Sequence, residues 1–388
     1  MNRVSVFALP VLMIGMLALG GCSRTTPVQQ TPPGGTYVST SAGALFEQSV
    51  KTVNSPDTTI ANYDLGKIHR SFQDSALVYI AAGKDGMVIS HDDGATWATV
   101  ALPLAGTIDV VQTKSGVLLA SGVDSAGQGI VTRSTDGGKT WQNMLTLPID
   151  KNSKTFQIIK GGSSAPASII AMEADLFQPN RVWAGTNDGT IFAGEQDGRT
   201  WRKVVDITSR ATQITGDRSG AGVVRLIPSP FNANDMLIIT KDNRLLELKD
   251  GALTEIKVPI NFDQQTPFGV SLGSQKVLSV SYVPGFKDAL FVGTDTSAVV
   301  TRDGGKSWIA LKLPLDASKT LSSNVVTLSP TNINRMFVIA DGIVYRSEDA
   351  GNTWNTTDIG PAGYPVTDIS INPANAAHML AVVKKPSA

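Results

Sequence analysis

The acidic turns are the first residues to weigh for chemistry. Asp92-Asp93-Gly94 and Asp136-Gly137-Gly138 look like fragments of a calcium loop. Such a loop needs oxygens at alternating positions and a bidentate Glu at its twelfth. Here a Trp follows within five residues, at Trp97 and Trp141, and no such Glu occurs. These are structural turns, and no metal or cofactor is expected. The histidines are three, His69, His91 and His378, each in a different part of the chain. Neither His-Glu-x-x-His, Cys-x-x-Cys nor a phosphate-binding loop spacing occurs. What remains are His69, Arg70, Asp109 and Glu173, then Asp175, Arg225, Tyr282 and Asp368, all on or beside apolar runs. Ligand binding or proton transfer would need several of them to converge, so their use depends on the elements that hold them.

One motif positions those elements. It reads Ser90-x-Asp92-x-Gly94-x-Thr96-Trp97, then Ser134-x-Asp136-x-Gly138-x-Thr140-Trp141. It returns as Thr301-x-Asp303-x-Gly305-x-Ser307-Trp308 and Ser347-x-Asp349-x-Gly351-x-Thr353-Trp354. A weaker copy runs from Gly194 through Gln196 and Gly198 to Trp201, with Gln at the Asp position. The motif suits a hairpin: Asp accepts turn N–H groups and Gly supplies positive φ. The hydroxyls tie the strand ends together and Trp packs over the turn.

The spacing of the copies gives the architecture. The tryptophans recur at about 45 to 60 residues, with a gap of about two periods between Trp201 and Trp308. The missing unit is visible from Asp242 to Gly251, followed by a strand-like run to Val258. Each unit carries about four short strand-like runs, and that period with four strands means propeller blades. Two fragments are left over. Residues 365–373 and 378–383 match the first two strands of a blade, and Ser39-x-Ser41-x-Gly43 to Phe46 fits a decayed motif one period before Trp97. Together they make a seventh unit, so the expectation is an all-β, seven-bladed propeller closed by its two termini over residues 36–388.

The repeat resembles the Asp-box (BNR) family found in sialidases, sortilin-type receptors, xyloglucanases and the photosystem II assembly factor. The resemblance covers most of the chain and implies a propeller more firmly than any one activity. In the enzymes of this family the chemistry sits on inner strands and funnel loops. Sialidases use an arginine triad, a Tyr/Glu nucleophile pair and an Asp acid/base, with an Arg-Ile-Pro signature before the first box. That region reads Ile68-His69-Arg70-Ser71-Phe72 here, and the xyloglucanases use two propellers where this sequence has one. The eight side chains named above are thus funnel candidates, with no catalytic residue assigned.

Composition narrows the function. The 33 basic and 33 acidic residues balance, which argues against a dedicated nucleic-acid binder. Asp far outnumbers Glu, in keeping with turns rather than helices. Residues 1–21 combine a basic start, an apolar run and a small-residue end, the pattern of a secretory signal. Leu19-Gly20-Gly21-Cys22, holding the only cysteine, resembles a bacterial lipobox whose Cys is acylated. Two or more acyl chains give stable anchoring. Residues 22–35 then read as a Pro-rich tether that spans up to ~40 Å when extended. The expectation is a bacterial lipoprotein of the cell envelope, facing away from the cytoplasm. Its partner is another protein, as for a scaffold or assembly factor; the alternative is a surface glycan-binding protein or glycoside hydrolase.

Overall fold

The computed structural model describes residues 34–53, 58–147, 167–207, 222–260, 274–315, 321, 324–361 and 363–385. The leader, Cys22 and most of the tether lie outside them. Among the described residues are 28 strands in seven four-stranded antiparallel sheets. The first blade is β3 (Ile68–Arg70), β4 (Val78–Ala81), β5 (Met87–Ser90) and β6 (Ala98–Val100). The second is β7 (Gly106–Gln112) to β10 (Gln142–Thr146), and the third β11 (Ile169–Ala174), β12 (Val182–Thr186), β13 (Thr190–Glu195) and β14 (Thr200–Asp206). The fourth runs from β15 (Val223–Pro228) through β17 (Leu245–Lys249) to β18 (Ala252–Ile256), and the fifth from β19 (Val277–Tyr282) to β22 (Ile309–Ala310). The sixth is β23 (Asn324–Leu328) to β26 (Asn355–Asp358).

The seventh blade joins the two ends of the chain. Its order is β2-β1-β28-β27, with β27 (Val366–Ile371) and β28 (Met379–Val383) meeting β1 (Gly35–Ser39) and β2 (Glu47–Gln48). Five residue pairs zip β1 to β28, from Gly35↔Val383 to Ser39↔Met379. The seven-bladed expectation therefore holds, including closure by both termini. One boundary moves: Gly35, read above as the end of the tether, is the first residue of β1. Its φ of 103° and the Val50 side chain, 2.5 Å from where a Cβ would sit, make glycine the residue that fits there.

Each blade's second strand is buried on both faces, as in β12, β16 (Met236–Thr240) and β28. That burial explains why these strands read as continuous apolar runs rather than alternating ones. Their side chains feed seven separate cores, each built from two adjacent blades.

The repeated motif lies between the third and fourth strands of a blade. Ser134 Oγ accepts the Gly138 N–H at 2.9 Å and donates to Asp136 at 2.8 Å. Asp136 accepts the Thr140 N–H at 2.9 Å and its hydroxyl at 2.6 Å. The same four bonds recur around Asp92, Asp303 and Asp349. The decayed copy keeps the geometry with a shorter side chain: Ser39 Oγ accepts from Gly43 and Ser41 Oγ from Leu45, both at 3.0 Å. In the fourth blade the loop shrinks to a two-residue Asp250-Gly251 turn, both residues at positive φ.

The motif also docks each blade on the one before it. A Cβ at Gly138 would press on Met87 of the first blade, at Gly198 on Leu119 of the second and at Gly94 on Leu380 of the seventh. Trp141, Trp201, Trp308 and Trp354 are half-buried and donate from Nε1 to their own motif glycine's carbonyl. Trp97 differs. It is fully buried and donates instead to the Ser49 carbonyl at 3.0 Å, because the segment after β2 folds over it. Ser49 Oγ returns a bond to Gly94 O at 2.6 Å.

Two predictions follow from this geometry. Truncation after Pro361 removes β27 and β28 and leaves two apolar blade faces open. The truncated chain should lose cooperative melting altogether, whereas deleting residues 23–31 should leave the melting temperature within a degree or two. A chain ending at Pro361 that melts near the intact protein would sink the closure. The second concerns tryptophan burial and acid. Trp97→Ala should cost ~3–5 kcal/mol, as for a fully buried aromatic, and Trp141→Ala clearly less. The turn bonds from Ser307 and Thr353 hold Asp303 and Asp349 at about 2, below the usual carboxylate range. Their stabilisation is complete above pH ~4 and disappears as pH falls through about 2. Asp303→Asn with Asp349→Asn should therefore flatten the acid limb of melting temperature against pH between 4 and 2.

Candidate functional site

The first strand of every blade faces the axis, and five of the eight funnel candidates, His69, Asp109, Glu173, Arg225 and Asp368, lie on its central channel. Five of these strands carry a β-bulge at the same height, just before Asp109, Ala171, Arg225, Ser279 and Asp368. A bulge inserts one residue and re-aims the next. At this height three side chains grip the neighbouring blade. Asp109 Oδ2 accepts the Met172 N–H at 2.8 Å, Ser279 Oγ the Val326 N–H at 3.0 Å, and Asp368 Oδ2 the Ile68 N–H at 2.8 Å. The last of these joins the seventh blade to the first.

Asp109 links three blades. Its Oδ1 lies 2.9 Å from His69 Nε2 on the first blade, while Oδ2 holds the third. Burial pushes its pKa up, but His69, Lys67 and the Met172 N–H outweigh burial and leave it below the ordinary carboxylate value. Two ion pairs then reach further around the ring. Arg225 of the fourth blade meets Asp368 of the seventh at 3.1 Å and donates to the Thr367 carbonyl at 2.8 Å. Lys67, just before β3, pairs with Glu173 of the third blade. Surrounded by protein and with Arg225 nearby, its amine falls to about 8 despite the opposing pull of Asp109 and Asp368.

The remaining candidates go elsewhere. Asp175 is 1% exposed and accepts from Phe177 N, Gln178 N, Arg181 Nε and Trp183 Nε1, so it organises the β11–β12 turn. Tyr282 stands edge-on to Phe231, with ring centroids 6.0 Å apart. Burial, helped by Glu247 and Asp235 and opposed by a bond to Ser229, raises its pKa well above that of a free phenol. It stays protonated at physiological pH, and Glu173 is engaged with Lys67 instead. Arg70 donates from Nε to Ser370 Oγ at 2.8 Å and from Nη1 to Ser75 O at 2.7 Å, and it pairs with Asp93. Asp93 also takes the Asn372 amide and lies 2.8 Å from His378 Nδ1, tying the first blade to the seventh.

Lys67, Asp93, Ser279 and His378 thus join the network although the sequence reading did not single them out as site residues. Aligning the repeats would have flagged Lys67 and Ser279, which share the height of Asp109. Gly269-Val270-Ser271-Leu272-Gly273 has the spacing of a hydrolase nucleophile elbow. That motif needs a strand-to-helix turn; in sequence it falls between β18 and β19, and it lies outside the described residues. Two cavities flank the channel network. One of about 450 Å³ lies among the first-to-second strand turns of the first, sixth and seventh blades, lined by Arg70, Phe72, Leu328, Pro330 and Ile371. The other, about 260 Å³, lies where Gly34 and Lys385 come together, on the opposite face, beside Tyr63 and Tyr364.

No protein-family model and no curated protein matches the chain. Solved structures do resemble it. YCF48 from Cyanidioschyzon merolae superposes with a TM-score of 0.55 at 16% identity, covering 86% of this chain and 99% of its own. YCF48 bound to D1 peptide gives 0.52 at 14%, covering 87% and 100%. The GH74 xyloglucanase from Xanthomonas campestris gives 0.57 at 15%, covering 91% of this chain but 58% of the enzyme. At these identities the likeness establishes the seven-bladed fold.

If Asp109 is a blade staple, its loss weakens the ring. Asp109→Ala should cost ~3–5 kcal/mol, because it strands His69 and the Met172 N–H. Asp109→Asn, which keeps an acceptor, should cost less. Equal losses in urea melts would contradict the stapling role.

Proposed function

We propose that this chain is an envelope lipoprotein whose Asp-box propeller binds another protein as a scaffold or assembly factor. The observation that carries the reading is the state of the channel. Its charged side chains, Lys67, Asp109, Glu173, Arg225 and Asp368, are spent on one another and on backbone N–H groups. A rigid disc whose polar centre is internally satisfied is suited to presenting loops for recognition. The likeness in extent agrees with it: this chain spans 99% of YCF48 and 58% of the xyloglucanase, whose size leaves room for more than one such domain. A protein of the same fold, YCF48, has been seen with a D1 peptide, which supports peptide recognition as a use of this architecture.

Anchoring rests on the leader and Cys22. Gly34 and Lys385 lie together on one face of the propeller. The second reading, glycan binding or hydrolysis, is favoured by the likeness to the GH74 enzyme, and the channel carboxylates Asp109, Glu173 and Asp368 are its candidate residues.

The test is crosslinking of the full-length protein in cells, followed by mass spectrometry, beside a Cys22→Ala form. We expect a small set of reproducible envelope neighbours for the native chain. The variant should appear in the soluble fraction or with its leader uncleaved, its propeller folded. Turnover of xyloglucan or sialosides by the purified protein, lost in Glu173→Gln, would replace the scaffold reading with the hydrolase one. A Cys22→Ala protein processed normally and still membrane-bound in high salt would remove the lipid anchor.

A further inference from the structure

The turns that join the first and second strands of the blades all lie on one face, and apolar side chains stand exposed on four of them. Phe72 is 47% exposed in the first blade, Phe177 47% in the third, Phe286 53% in the fifth and Ile333 39% in the sixth. The four fall at different places within their turns but share one face, and exposed apolar surface gathered on a face marks interaction sites. Two of these turns are pinned by side chains: Asp175 holds the one bearing Phe177, and Ser71 Oγ accepts two N–H groups in the one bearing Phe72. The Lys114 ammonium sits over the Phe72 ring, 5.2 Å from its centroid.

The cavity of about 450 Å³ opens on the same face, and Phe72 forms part of its wall. Apolar surface from Leu328, Pro330, Ile371 and Pro373 lines most of it, with hydroxyls from Ser75 and Thr327. Arg70 is the one charged residue in this lining, and Asp93 neutralises it within the protein. Neighbouring cations are occupied too: Lys114 on the Leu176 carbonyl, Arg181 on Asp175 and Arg335 on Glu348.

We propose that this face docks an uncharged, apolar segment of a partner protein in extended form, with a large aliphatic or aromatic side chain filling the cavity beside Phe72. The proposal rests on the protein-binding reading above and names its surface. Complementarity decides the occupant. A neutral apolar cavity gives nothing to a charged motif, which would be desolvated without a partner. A volume of about 450 Å³, within the range of small-ligand pockets, admits a large side chain, whereas a bilayer surface cannot enter a concavity. The hydroxyls offer partners to the peptide backbone.

The probe is a fluorescein-labelled, uncharged peptide with Leu-Phe-Leu at the centre of a Gly/Ser frame. It is compared with Lys-flanked, Asp-flanked and all-Ser versions by polarisation on the full-length protein. We expect saturable binding of the uncharged apolar peptide and weaker binding of the others. Phe72→Asp and, separately, Phe286→Asp should weaken it at least tenfold. Ile309→Asp, 57% exposed at the outer edge of the fifth blade, should leave it unchanged. Unchanged melting temperatures confirm folding, and Phe286→Asp carries the test if Phe72→Asp fails to fold. No binding, equal binding by Phe72→Asp and Ile309→Asp, or preference for a charged peptide would each overturn the assignment. So would binding of phosphatidylcholine vesicles that Phe72→Asp abolishes, which would make the face a lipid surface. Reproducible crosslinked neighbours with peptide binding that neither Phe72→Asp nor Phe286→Asp weakens would leave the scaffold reading standing and this surface refuted. Peptide binding lost in those variants, without any neighbour in cells, would do the reverse.

Discussion

The five residue pairs between β1 and β28 are the constraint on which everything else depends. A propeller has no single core; each of its seven cores belongs to a junction between two blades. A blade therefore has a place to bury both faces only when the ring is complete. That completeness is achieved by strands lying more than three hundred residues apart. The junction so formed is also the most heavily bonded. Asp368 holds Ile68, Asp93 gathers Arg70, Asn372 and His378, and the segment after β2 seals Trp97. The chain passes covalently from each blade to the next, from β2 to β3 included, so the one step of the ring held by non-covalent contacts alone is the β1–β28 pairing inside the seventh blade.

The repeated turn shows how the same problem is solved locally. Its hydroxyl and carboxylate satisfy N–H groups that a tight loop would otherwise leave unpaired, which costs about 1–3 kcal/mol for each buried group. The glycine so freed of a side chain lets the preceding blade's Met87, Leu119 or Leu380 approach. The geometry matters more than the residue type, since Ser41 replaces Asp in the seventh blade and still accepts the N–H four residues on. Where the loop shortens to Asp250-Gly251, a Cβ built on the glycine would meet no atom of the preceding blade within 4 Å, so that close docking is not repeated there. This explains how the fourth blade could lose the signature while keeping its four strands.

The blade count, the inner strands and the shared seventh blade were legible in the sequence because they follow from period and from apolar runs, both local properties. The decayed copy at Ser39 to Phe46 was legible for the same reason. Contacts around the ring were not. Nothing in the spacing of Arg225 and Asp368 says that they meet, nor that Lys67 reaches past the second blade to Glu173. Trp97 and Trp141 occupy the same motif position, yet only Trp97 is covered by the segment after β2 and fully buried. Asp175 and Asp109 look alike as acids near inner strands. One folds a turn and the other holds three blades, a difference set by which N–H groups face them.

The polar and apolar parts of the molecule are divided in a way that bears on its use. In the channel, Lys67 pairs with Glu173, Arg225 with Asp368, and Asp109 is held by His69 and the Met172 N–H, so a ligand for any of these groups must break a contact before gaining one. Breaking a buried pair by removing one partner costs about 3–5 kcal/mol. On the face of Phe72, Phe177 and Phe286 the balance is reversed: apolar area is already exposed to water, and covering it is favourable by about 25 cal/mol per Å². Binding energy is therefore available where no internal contact has to be given up. A ring that closes on its own charges can keep its shape without a partner, and that rigidity lets its loop aromatics stay exposed and ordered. Stability and recognition then draw on different residues, so a change at one need not disturb the other.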